Sequence, residues 1–184
     1  MIRSVNLLEV KRFEMVDLTI DWSQARYDRR TSYKGKVVSY AGYQEYVSDG
    51  LFSLLIEVGD YRAILEFRNI DILVEEISPS AVPSREVAKK ILIRALDQCE
   101  LGVFCTCADF KYRFHYVVTQ WESLPKGVKG QNIPAVVTNP GEDGFLCKHL
   151  TAIVVKPSIW MEKAVTLLRD NIIKSRGGRI DENL

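Results

Sequence analysis

Two apolar-rich segments, Leu51–Val58 and Tyr61–Arg68, are separated by Gly59-Asp60, and on the second apolar and polar residues alternate, interrupted only at Ile64. Two half-buried strands joined by a two-residue turn are the expected outcome, because side chains two apart on a strand share a face. On the second strand Tyr61, Ala63, Leu65 and Phe67 fall on the core side, with Arg62, Glu66 and Arg68 on the wet side. The branched run Ile70–Ile77 is read as a third strand completing a small antiparallel sheet. Pro79 and Pro83 close this region and Ser84 offers an N-cap. From there Val87, Ile91, Leu92, Ala95, Leu96 and Cys99 recur at helical spacing, which predicts an amphipathic helix packed on the sheet. Gly102 is read as the exit from that helix into a strand beginning Val103-Phe104.

Beyond residue 107 the period is helical again. Phe110, Phe114, Val117, Val118 and Trp121 mark one face, with Asp109 as the candidate cap, Tyr112 and Tyr116 on another side, and His115 as a packed or surface side chain. Residues 122–145 carry Pro125, Gly127, Gly130, Pro134, Pro140, Gly141 and Gly144, and so predict a long loop or two short β excursions, one including Ala135-Val136-Val137. A helix to Val155, a break at Pro157, a Ser158 cap and a last helix through Ile173 follow, the last presenting Trp160, Ala164, Leu167, Leu168 and Ile172 on one face. The start is less patterned. Residues 1–21 are weakly strand-like, and 22–36, with Arg26, Arg29, Arg30 and Lys34, read as an exposed connection. The expected organisation is an N-terminal segment 1–35, an α+β domain 36–174 and a flexible tail 175–184.

Composition changes this picture little. With 184 residues the chain suits one sizeable core, and 25 basic against 24 acidic side chains suggest no polyanionic partner. No apolar run approaches the ~20 residues of a membrane span, and Met1-Ile2-Arg3-Ser4 opens no secretory signal. Folding in a reducing cytoplasm is expected.

The candidate chemistry lies in two short pairs. Cys105-Thr106-Cys107 holds two of the four cysteines, and Cys147-Lys148-His149 holds a third with one of the two histidines. On a strand Cys105 and Cys107 would point to the same face, making half a chelate, while the second pair follows a turn-rich stretch and sits at the mouth of a helix. Three soft thiolates and an imidazole suit zinc, and four protein ligands leave no position for water, which argues for a structural ion. Ordinary core thiols or a disulfide are the other readings of such cysteines. Cys99, which continues an apolar stripe and lacks a partner in sequence, is read as core. A metal clamping both ends also accounts for so long a loop inside a domain.

The C-x-C and C-x-H pairs resemble the metal motif of SWIM-type zinc modules. A closer similarity is to a group of virion structural proteins of large tailed bacteriophages. It runs through Tyr61–Phe67, through Cys105-Thr106-Cys107-Ala108-Asp109-Phe110 and the aromatic residues after it, and through Asn139-Pro140, Gly144 and Cys147-Lys148-His149-Leu150. It covers residues 36–155; Ala108 stands where those proteins commonly place proline. The resemblance implies a non-enzymatic virion protein with a structural zinc on Cys105, Cys107, Cys147 and His149. Such a protein would contact other virion proteins and copies of itself, and would reside in the virion after assembly in the host cytoplasm. The SWIM likeness implies instead a nucleic-acid-binding module. Between Cys105 and His149, however, Lys111, Arg113, Lys126, Lys129 and Lys148 exceed Asp109, Glu122, Glu142 and Asp143 by a single charge, few for phosphate binding. Neither a phosphate-cradling G-x-x-x-x-G-K-[ST] nor a G-x-S-x-G motif is present.

Overall fold

The structure is a computed structural model that describes residues 35–39, 50–77, 82–139 and 144–177. The expectations for residues 1–34, for the turn at 140–143 and for the tail beyond 177 lie outside the described residues.

The hairpin forms as its alternation predicts. Strands β2 (Leu51–Val58) and β3 (Tyr61–Arg68) pair antiparallel from Val58 opposite Tyr61 to Leu51 opposite Arg68. Gly59 turns the chain with φ at 61°, a left-handed conformation that glycine adopts without steric cost. A short strand β1 (Gly35–Ser39) runs along the outer side of β2, with an irregularity between Val37 and Ser39.

The expected third strand is a correction. Residues Ile70–Ile77 form helix α1, because Ile70, Leu73, Val74 and Ile77 recur at i, i+3, i+4 and i+7 and the first three are buried. Asn69, at φ 57°, breaks the strand, and the Ile70 N–H donates to the Gly50 carbonyl at 3.0 Å. Gly50 itself has φ at 66°, and a Cβ there would lie 2.5 Å from the Asp71 carboxylate. The sheet is completed instead by the cysteine strand, β4 (Glu100–Cys105), which pairs antiparallel with β3 from Ala63 opposite Cys105 to Arg68 opposite Glu100, giving the order β1-β2-β3-β4.

Helix α2 (Arg85–Gln98) begins as predicted, with the Ser84 side chain accepting the Val87 N–H at 3.2 Å, and it buries Ala88, Ile91, Leu92, Ala95 and Leu96. Its exit is at Cys99, in an extended conformation, and Gly102 lies inside β4. A Cβ on Gly102 would meet Glu66 Oε1 at 3.0 Å and Pro125 Cα at 3.2 Å, so the glycine serves a close approach and not a turn.

After β4 the chain makes a π-helical turn (Phe110–Phe114) and helix α3 (His115–Gln120). Ala135–Thr138 is a turn and no strand, closed by the Asn139 N–H on the Ala135 carbonyl at 2.8 Å. Helix α4 (Lys148–Val155), a 3₁₀ turn at Pro157–Ile159 and helix α5 (Met161–Ser175) finish the described chain. Trp160, not Ser158, stands immediately before α5. It is buried against Phe67, 6.0 Å between ring centroids, and its indole N–H donates to the Ile153 carbonyl at 3.0 Å.

The class is therefore α+β, as the sequence predicts. One face of the sheet, carrying Phe52, Leu54, Ile56, Ala63, Leu65, Phe67, Leu101, Val103 and Cys105, joins the apolar sides of the helices in a single core. On the opposite face Phe104 packs edge-on against Phe110 and His115, at 5.5 and 5.7 Å. The loop after α3 lies over the same face. Glu66, expected in water, is only 2% exposed because that loop covers it.

Candidate metal centre

The two predicted pairs meet where β4 ends and α4 begins. Cys105 is the last residue of β4, placed on the core face by its pairing with Ala63. Pairing continues one step further, since the Thr106 N–H donates to the Arg62 carbonyl at 2.9 Å and the Arg62 N–H to Thr106 Oγ1 at 3.0 Å.

Cys107 is not on the strand. It starts the next helical turn, where its sulfur accepts the Phe110 N–H at 3.3 Å and its carbonyl accepts the Lys111 N–H at 3.0 Å. The sulfur thus takes the capping role expected of Asp109. Asp109 is already helical and pairs with Arg113 at 3.2 Å. Cys147 is the N-cap of α4, extended at φ −66° and ψ 166°, with its carbonyl accepting both the N–H and the hydroxyl of Thr151 at 2.9 and 3.1 Å. His149 stands in the first turn of that helix.

All four are buried, with exposures of 0–2%. Their donor atoms lie within 4.8 Å of one another, close enough to share one ion. The imidazole presents Nδ1, which is 3.8 Å from Cys105 Sγ and 3.9 Å from Cys147 Sγ. The Tyr61 ring packs on it at 4.7 Å between centroids. Sequence reasoning missed Tyr61. Its place beside the cluster follows from the β3–β4 register that sets Ala63 opposite Cys105, a pairing the sequence alone does not show.

The three thiols differ in acidity. Cys107 is held well below its ordinary value, first by hydrogen bonds from Cys105 and Cys147, then by His149 and the Phe110 N–H. Cys105 is pushed up to about 12, chiefly because its proton is shared with Cys107, and Cys147 is pushed up by burial. A thiolate at the start of a helical turn is favoured by the turn's free N–H groups. The cluster can therefore hold a metal ion on Cys105, Cys107, Cys147 and His149, with no open side facing solvent. Cys99 lies apart from it, buried at the end of α2, where burial raises its thiol to about 12. His115 stays outside it too, stacked on Phe110 and donating from Nε2 to the Lys129 carbonyl at 3.1 Å.

Comparison with protein-family models, with curated proteins and with solved structures finds no match to the chain. Among the described residues no helix is long and apolar enough to cross a membrane.

Proposed function

We propose that the cluster binds one structural zinc and that the protein is a non-enzymatic component of a tailed-phage virion, acting through contacts with neighbouring virion proteins and copies of itself. The observation that carries the metal is the closed set of three sulfurs and one imidazole, all buried. A tetrahedral ion with bonds of about 2.3 Å to sulfur and about 2.0 Å to nitrogen has nitrogen–sulfur edges of about 3.6 Å, a few tenths of an ångström under the 3.8 and 3.9 Å separations of Nδ1 from two sulfurs. Four protein ligands leave no site for a reacting water, so the ion supplies structure and no catalysis. The phage assignment, with its residence in the virion, rests on the likeness of the hairpin and of the two metal-ligand pairs described above.

Elemental analysis of protein purified without chelator is expected to find about one zinc per chain, retained by Cys99→Ala and lost by Cys147→Ala. Fresh protein with intact thiols and no metal would remove the centre. The motif's other association, with nucleic acid, is tested by DNA binding. Weak affinity with a shallow dependence on salt is expected, and tight binding with a steep dependence would replace the virion reading.

A further inference from the structure

The start of β3 touches both halves of the cluster. Tyr61 follows the Gly59-Asp60 turn and pairs with Val58, so the hairpin alone fixes its backbone. Its ring lies on the His149 imidazole, 4.7 Å between centroids and tilted by 42°. Tyr61 is 38% exposed and His149 only 1%, which makes Tyr61 an outer layer over the imidazole. Arg62 grips the other pair, exchanging two backbone-side hydrogen bonds with Thr106, the residue between Cys105 and Cys107, at 2.9 and 3.0 Å. Ala63 then pairs with Cys105 itself. Three consecutive residues thus hold one ligand pair through the backbone and meet the other through a ring.

The ring contact bears on the orientation of a ligand. Nδ1 of His149 stands 3.8 and 3.9 Å from the sulfurs of Cys105 and Cys147, and half a turn about the Cβ–Cγ bond would put a carbon in its place. Midway through that turn the imidazole would stand edge-on into the Tyr61 ring. The stacked ring therefore opposes the flip. A ligand already held in its binding orientation loses less freedom when the ion arrives, and neighbours that orient ligands commonly change metal affinity by tenfold or more. The same contact ties α4 to the sheet at the turn where the Thr151 N–H closes on the Cys147 carbonyl.

We propose that Tyr61 is a positioning residue of the metal centre: its ring keeps the His149 imidazole turned with Nδ1 toward the sulfurs and latches the first turn of α4, and so sets how long the ion is held. The inference rests on the metal reading above and adds to it a residue outside the ligand set. The contact is made by the ring, so phenylalanine at this position preserves it and an aliphatic side chain does not.

The test is the transfer of zinc from the full chain to an excess of a chromophoric chelator, with the visible spectrum of cobalt(II)-loaded protein reading the ligand set. Tyr61→Ala and Tyr61→Leu are expected to shorten the half-life of transfer about three- to tenfold, the range of an aromatic pair. Both should shift or broaden the cobalt bands, and speed hydrogen exchange at the Thr151 N–H by a like factor. Tyr61→Phe should match the wild type throughout. Ile91→Val, a small loss of packing in the α2 core, should lower the thermal midpoint and leave the half-life and the bands unchanged, which separates positioning from general stability. A half-life or a cobalt spectrum that Tyr61→Ala and Tyr61→Leu leave at the wild-type value overturns the proposal. So does Tyr61→Phe that releases zinc as fast as Tyr61→Ala, or Ile91→Val that does the same. Fresh protein without zinc overturns the metal reading and this inference together, whereas zinc-bearing protein indifferent to Tyr61 overturns this inference alone.

Discussion

Replacing Glu66 tests what holds the long loop. Its carboxylate, 2% exposed in the middle of β3, accepts from Ser53 Oγ at 3.1 Å, from Arg68 Nε at 3.2 Å and from the Lys126 N–H at 3.0 and 3.1 Å. Arg68 in turn donates to the Glu122 carbonyl at 2.8 Å and to the Leu124 carbonyl, while the Val103 N–H donates to the Ser123 carbonyl at 2.8 Å. Glu66→Ala leaves the Lys126 N–H without its acceptor, at a cost of about 1–3 kcal/mol. It also breaks an ion pair of the kind whose rupture costs about 3–5 kcal/mol when fully buried. Arg68 keeps two carbonyl acceptors and its side chain is 24% exposed, so only part of the second cost applies. A total loss of about 3 kcal/mol follows for Ala, and about half of that for Gln, which preserves shape and one acceptor oxygen. Urea unfolding reads the total, and hydrogen exchange locates it, with protection falling first over residues 122–131. Because none of these bonds involves a metal ligand, chelation alone should open the Cys147-His149 turn and leave residues 122–126 protected until Glu66 is also replaced. A loss below about 1 kcal/mol for Glu66→Ala, or a loss spread evenly over the chain, would refute the pinning role.

Two further outcomes are expected. Cys99, buried with its thiol raised to about 12, should resist alkylation in the native protein at pH 8, and Cys99→Ala should cost about 1 kcal/mol, as for loss of a methylene-sized group; rapid native labelling would contradict its burial. His115 has its proton affinity lowered from 6.5 by burial, so the folded imidazole is neutral at pH 7 while the unfolded chain takes up a proton near 6.5. Its contribution is complete above that pH and is lost as pH falls through the lower folded value. The stability advantage of wild type over His115→Gln should therefore shrink from pH 7.5 to 5.5, and an advantage that grows would reverse the assignment.

The hairpin and the α2 stripe with its Ser84 cap were legible because each is a local pattern repeated over several residues, and the four metal-type ligands because their residue types and two-residue spacings match across the two pairs. Ile70–Ile77 was misread since its branched residues favour strands while their i, i+3, i+4 spacing favours a helix, and the deciding event, the left-handed Asn69, is one dihedral angle. Val136 and Val137 have the composition of a strand, but among the described residues no strand pairs with them and they turn instead. The capping by Cys107 was hidden by Asp109, the better cap on propensity; β4 ends two residues before Cys107, so the sulfur reaches the first free N–H groups before the carboxylate does. Glu66 was assigned to water from the alternation on β3 alone, which carries no information about a loop arriving from sixty residues later.

The ligands are also ordered in time. Synthesis delivers the hairpin, α2 and β4 with Cys105 and Cys107 before α4 exists, so the sheet is able to form while half of the cluster is still unmade. Closing residues 108–146 onto that edge costs about 3 kcal/mol of chain entropy by the logarithmic scaling for loops of this length. Helix α4 brings the other two ligands and, in the same movement, inserts six buried residues, His149 to Val154, into the core. Among the described residues the four ligands are at most 2% exposed. An ion bound by the proposed centre would therefore enter before α4 seats and leave when α4 lifts. The half-life of metal exchange would then be a clock for the opening of one helix.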